Sequence, residues 1–260
     1  MEIVICATAD EVARAGGGKV VEVVSRVAEP VLGVATGSSP LSLYADLARR
    51  IGEGTLDLSR ARAFSLDEYV GMPASDPRSY AWTIRTTVTE PLGLDPARVT
   101  TPDGMADDID AACAAYESAI ADAGGVDVQI LGIGSNGHIG FNEPTSSFAS
   151  RTRLKTLAEA TRDDNRRFFT DGEEVPTLCL TQGLGTIMDA RHVVLVALGE
   201  QKADAIARAV EGPVSAMCPA SVLQFHRHAT LILDEAAASR LQLADYYRFV
   251  YANKPGAPYA

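Results

Sequence analysis

Within "GIGSNGHIGFNEP", residues 132–144, Asn136, His138 and Glu143 fall inside eight consecutive positions. Histidine is the side chain best suited to moving protons near neutral pH, and a neighbouring carboxylate orients its ring and favours its charged form. Taken alone, His138 is better explained as a histidine packed in a loop. Three polar groups together, straight after the apolar run "VDVQIL", favour acid/base chemistry. The first six letters of the tract also spell G-x-G-x-x-G, the pattern of a dinucleotide-binding turn. Such a turn needs a helix opening at its third glycine and an acidic residue about 20 positions on to hold a ribose. Here Gly140 and Pro144 oppose a helix, and "RTRLKTL" is basic where the acid belongs. The nucleotide reading fails on both conditions.

Other chemistry-bearing groups also follow apolar runs. Asp67 and Glu68 come after "ARAFSL". Adjacent residues of a strand point to opposite faces, so one of them at most enters a given cleft, where a partly desolvated carboxylate can act as a base. Two solvated loop charges are the plainer explanation of that pair alone. After "VLGVA", Thr36, Gly37, Ser38 and Ser39 form a small-residue turn, with Pro40 suited to the first position of a helix. Hydroxyls, backbone N–H groups and the positive end of a helix dipole suit a phosphate, although a serine N-cap on an ordinary turn fits equally well. It is not a Walker A loop, because no G-K-[S/T] follows. Arg151, Arg153 and Lys155 alternate and would share one face of a strand, while Arg162, Arg166, Arg167 and Lys202 add further cations. Singly each reads as surface charge; after strands in an acidic chain they are candidate phosphate contacts.

These groups need a scaffold that gathers them. Runs at 2–7, 31–35, 61–66, 126–131, 192–198 and 229–234 read as strands buried on both faces. Between them, roughly 9–28, 39–52, 106–124, 161–170, 200–211 and 235–248 carry helical spacing, with "GGG" at 16–18 weakening the first helix. The alternation predicts one α/β domain over 1–260: an open, mainly parallel sheet with helices on both faces, and ligands outside the carboxyl ends of the strands. The tail "YANKPGAPYA" is expected to be irregular.

Composition narrows the function further. The 260 residues are 47% hydrophobic and carry 23 Lys and Arg against 34 Asp and Glu, a net charge of −11. That balance disfavours nucleic-acid and anionic-membrane surfaces. The start lacks a signal-peptide pattern, no run nears the ~20 apolar residues of a membrane span, and four scattered cysteines read as reduced thiols. A cytoplasmic protein is expected.

In order along the chain, "ATGSSP", "FSLDEYVGMPASDPRSY", "GIGSNGHIGFNEP", "SRTRLKT", "TRDDNRRFF" and "LGEQKADAI" resemble the glucosamine-6-phosphate deaminase (isomerase) family. "DEYVG" with "GHIGFNEP" is far more specific than the G-x-G-x-x-G inside it. The resemblance implies a Rossmann-like fold and conversion of glucosamine 6-phosphate and water to fructose 6-phosphate and ammonia, with no metal or organic cofactor. It implies that His138 opens the pyranose with Glu143 and position 136 in support, and that Asp67 moves a proton from C2 to C1. Thr36, Gly37, Ser38, Ser39, Gly137, Arg167 and Lys202 match its sugar-phosphate contacts, and Gly132, Gly134 and Gly137 are expected to let the backbone pass close to the sugar.

Some members of the family have Asp at position 136. With Asn136, Glu143 must supply most of the negative charge beside His138, so the ring-opening step is expected to titrate differently. Some hexameric members are activated by N-acetylglucosamine 6-phosphate through residues that align with Ser146, Arg153 and Lys155; shorter members act as monomers. A tyrosine used in that site aligns poorly, near Tyr246, Tyr247 and Arg248, so hexamer or monomer, activated or not, stays open. The rivals are a galactosamine-6-phosphate deaminase, a 6-phosphogluconolactonase-like hydrolase and a non-catalytic sugar-phosphate sensor. The lactonase would not need "FNEP" or a base for a carbon-bound proton.

Overall fold

The computed structural model describes residues 1–170 and 173–255. Its strands and helices run β1 (Glu2–Cys6), α1 (Ala9–Val24), β2 (Val31–Val34), α2 (Ser38–Gly52), β3 (Arg62–Ser65), β4 (Asp67–Tyr69), α3 (Tyr80–Ile84), β5 (Val99–Thr100), α4 (Ile109–Asp122) and β6 (Val128–Leu131). They continue with β7 (Arg153–Thr156), α5 (Glu159–Asn165), β8 (Leu178–Thr181), α6 (Leu184–Met188), β9 (His192–Ala197), α7 (Ala203–Val210), β10 (Ala229–Asp234) and α8 (Ala244–Ala252).

Seven strands form one sheet in the order β1-β10-β9-β6-β2-β3-β5, and every pairing in it is parallel. Parallel strands covered by helices are apolar on both faces, which is why β2, β6, β9 and β10 are almost wholly buried. From β2 the chain steps outward through β3 to β5; from β6 it steps the other way through β9 to β10. The order reverses between β2 and β6, and a crevice opens there at the carboxyl ends of the strands. No described helix is long and apolar enough to cross a membrane.

The six expected strands are all present. What sequence periodicity left out is a second, antiparallel sheet, β4-β8-β7, which overlies the crevice side. Asp67 and Glu68 therefore do not end the β3 strand in a solvated loop. They open β4 and are 5% and 3% exposed.

Helix α1 also departs from expectation, because it runs unbroken through its glycines. A Cβ on Gly16 would lie 2.7 Å from Leu43 Cδ1, and one on Gly17 would lie 2.0 Å from Asp46 Oδ2. The glycines let α1 and α2 pack closely, and that packing offsets their low helix propensity. The helix expected over 235–248 is turns as far as Leu243 and becomes α8 only at Ala244. All four cysteines are free and buried. Residues 256–260 of the tail lie outside the described residues.

Candidate active site

A cavity of about 270 Å³ occupies the crevice at the β2/β6 reversal. Its wall brings together Thr36–Ser39, Asp67, His138, Arg167 and Lys202, contributed by segments following four parallel strands and by the stretch between β7 and β8.

One corner of the cavity is built at the start of α2. Ser38, not Pro40, is the first helical residue, and the N-cap is Gly37, with φ of 104° and no side-chain cap hydrogen bond. A side chain at Gly37 would meet nothing within 4 Å, so the glycine answers to conformation, not space. The serine-N-cap explanation thus fails, and the first turn of a 15-residue helix faces the cavity with no acidic residue in it. Lys202 reaches the same cavity from the turn before α7, and burial favours its neutral form while Asp164 opposes that shift. Arg167 arrives from the turn Arg166–Phe168 that continues α5.

The remaining basic residues do other work. Arg151 precedes β7 and pairs with Glu117 at 2.6 Å and Asp189 at 2.5 Å. Arg162 donates to the Val175 carbonyl at 3.0 Å, and Arg166 pairs with Asp163 at 3.3 Å. Arg153 and Lys155 do share a face of β7, away from the cavity lining, and Ser146 is buried with no hydrogen-bond partner for its hydroxyl among the described residues.

Asp67 and Glu68 part company as strand geometry requires. Asp67 faces the cavity. Burial, and then the charge of Glu68, hold its carboxyl well above the usual range, which makes its ionised form a stronger base. Glu68 turns the other way and accepts the backbone N–H groups of Tyr69, Tyr80 and Ala81 at 2.8, 3.0 and 2.7 Å. It pins the start of α3, and with it Tyr80, a cavity-wall residue that stacks on Phe141 at 5.5 Å.

The glycine-rich loop proves to be shaped around its own histidine. A Cβ on Gly134 would lie 2.2 Å from the His138 ring, so this glycine gives the imidazole its berth. Gly137 has φ of 91°, and a Cβ there would lie 2.6 Å from Cys218 Sγ. Gly137 does not line the cavity, whereas Gly132 and Gly134 do. Glu143 sits behind His138, with Oε2 3.7 Å from Nδ1, longer than a hydrogen bond. Asn136 donates its amide to the same Oε2 at 2.7 Å and accepts the backbone N–H of His138 at 3.0 Å. Thr161 donates its hydroxyl to the other carboxylate oxygen. Burial favours the neutral carboxyl, but His138, Thr161 and Asn136 outweigh it and pull Glu143 down to about 2.

Residues 7–232 match the family described as glucosamine-6-phosphate isomerases/6-phosphogluconolactonase. The chain belongs to that family. A glucosamine-6-phosphate deaminase of Cutibacterium acnes is 66% identical over 96% of this chain and 95% of its own. One from Pseudarthrobacter chlorophenolicus is 58% identical over 98% of both chains. Among solved structures, a monomeric glucosamine-6-phosphate deaminase superposes with a TM-score of 0.89 at 37% identity, covering 92% of this chain and 100% of that one. A 6-phosphogluconolactonase from Trypanosoma cruzi shares the fold alone, with a TM-score of 0.75 at 20% identity over 93% of this chain and 97% of that one. The fold common to the isomerase/lactonase family therefore leaves the chemistry to the site.

Within that family site, sequence reasoning missed Tyr80, Thr161 and Asn165, all of which line the cavity. One signal was available. Thr161 and Asn165 are four apart on α5 and so share a helix face.

Proposed function

We propose that this chain is a glucosamine-6-phosphate deaminase, converting glucosamine 6-phosphate and water to fructose 6-phosphate and ammonia. The observation that carries the reading is a buried Asp67 and a His138 backed by Glu143, both Asp67 and His138 facing one cavity that Arg167 and Lys202 also line.

The first turn of α2, Arg167 and Lys202 bind the phosphate and set the sugar's register. His138 takes the proton of the anomeric hydroxyl and delivers it to the ring oxygen, which opens the pyranose; Glu143 balances the imidazolium. Asp67 then takes the proton from C2 while the C1 carbonyl oxygen is protonated, giving an enolamine. Returning that proton to C1 leaves an imine at C2. Water adds to the imine carbon and ammonia departs, leaving the ketone. A base positioned for a carbon-bound proton is what favours this reaction over lactone hydrolysis, which breaks no C–H bond.

Ammonia release from glucosamine 6-phosphate by purified, folded protein tests the reading, run beside galactosamine 6-phosphate and a 6-phosphogluconolactone hydrolysis assay. Release from the gluco sugar is expected. Faster release from the galacto sugar would reassign the substrate, and no ammonia from either would reject the proposal. The likeness to a solved monomeric deaminase supports activity as a monomer, with Ser146, Arg153 and Lys155 binding no activator. Four free thiols and a phosphorylated substrate suit a reducing cytoplasm.

A further inference from the structure

Thr161 is 4% exposed and lies on α5. A threonine inside a helix often bonds back to a carbonyl one turn earlier. Thr161 instead donates to Oε1 of Glu143, 18 positions away in sequence. The other oxygen, Oε2, accepts from Asn136 and faces Nδ1 of His138. The carboxylate is thus gripped from its own loop on one side and from α5 on the other. The torsion that spins a carboxylate about its last carbon–carbon bond is broad, so one donor alone fixes it poorly. The helix that supplies the second donor continues directly into the turn that carries Arg167 to the cavity.

We propose that Thr161 is a positioning residue for ring opening: its hydroxyl fixes the Glu143 carboxylate so that Oε2 faces His138. This rests on the proposed roles of His138 and Glu143. The hydroxyl is spent on Glu143 and acts through it.

The test compares wild type, Thr161→Val, Thr161→Ala and Thr161→Ser by ammonia release, by inhibition with inorganic phosphate and by thermal melting. A hydrogen bond to a charged group is strong enough that Thr161→Val and Thr161→Ala should lose about tenfold or more in kcat. The KM and the phosphate inhibition constant should stay within about twofold, because ground-state binding is untouched. Thr161→Ser keeps the donor and should recover most of kcat. The inference is overturned if both apolar variants keep wild-type kcat. It is also overturned if the serine variant is as slow as the valine one, or if phosphate affinity falls in step with kcat. An inactive wild type would reject the reaction itself, whereas an active wild type with indifferent variants rejects only the role of Thr161.

Discussion

Asp67 carries opposite consequences for catalysis and for stability. Burial raises its carboxyl above the value it has in the unfolded chain, so the native state binds the proton more tightly. Stability from this group is therefore greatest at acid pH and is lost as pH climbs from the ordinary carboxylate range through the raised native value. Asp67→Asn should cut kcat by about 10³-fold, within the range for losing a general base, while inhibition by inorganic phosphate persists. The same variant should melt higher at neutral pH, because it removes a charge that burial penalises, and a lower Tm would contradict the burial argument. Position 136 makes a sharper case than charge counting implied. Asn136 does not touch the imidazole; it donates to Glu143 and accepts from the His138 backbone. Asn136→Asp replaces that donor with a second carboxylate, and two like charges so close retain a proton to higher pH. The acid limb of kcat/KM should move to higher pH, and superimposable profiles of the two proteins would reject the coupling.

At the scale of elements, the small sheet does what the large one cannot. It carries Asp67 on β4 and, between β7 and β8, the segment that supplies Thr161, Asn165 and Arg167. Its anchorage is tight. A Cβ on Gly183, the N-cap of α6 just beyond β8, would lie 2.0 Å from the Ser150 carbonyl oxygen and 2.5 Å from the Arg151 nitrogen, both backbone atoms. Gly183→Ala must displace one chain or the other, an overpacking of about 1–3 kcal/mol that calorimetry should register as a lowered Tm. Gly52→Ala, at the end of α2, meets nothing within 4 Å and should leave Tm unchanged or raise it by less than about 1 kcal/mol equivalent. Equal melting of the two variants would show that Gly183 is not a close-approach site. The large sheet was legible in sequence because strands buried on both faces read as continuous apolar runs. The small sheet was not, since β4 has three residues with two acids among them, and β7 alternates exposed and half-buried positions.

For the whole molecule, Ser38, Asp67, His138, Arg167 and Lys202 line one cavity, and the solved structure it superposes on is described as monomeric. Hyperbolic kinetics and sedimentation as a single chain are the expected result, with N-acetylglucosamine 6-phosphate leaving the rate unaltered. Sigmoidal kinetics relieved by that compound would reject the monomeric reading and implicate Ser146, Arg153 and Lys155. Sequence and structure divide the basic residues differently: spacing nominated seven, and folding left Arg167 and Lys202 at the cavity. Arg151 is spent on Glu117 and Asp189, which no spacing rule foresees because its partners lie 34 and 38 positions away.

The amino-acid sequence alone determined the sheet, the crevice end of its strands and the residue types of the chemistry. Those follow from local rules, hydrophobic period and turn composition. Only the tertiary structure decided that Asp67 is buried and Glu68 caps a helix, that Gly134 makes room for His138, and that Thr161 reaches Glu143. Burial and hydrogen bonding between distant segments set those outcomes, and neither is written in spacing.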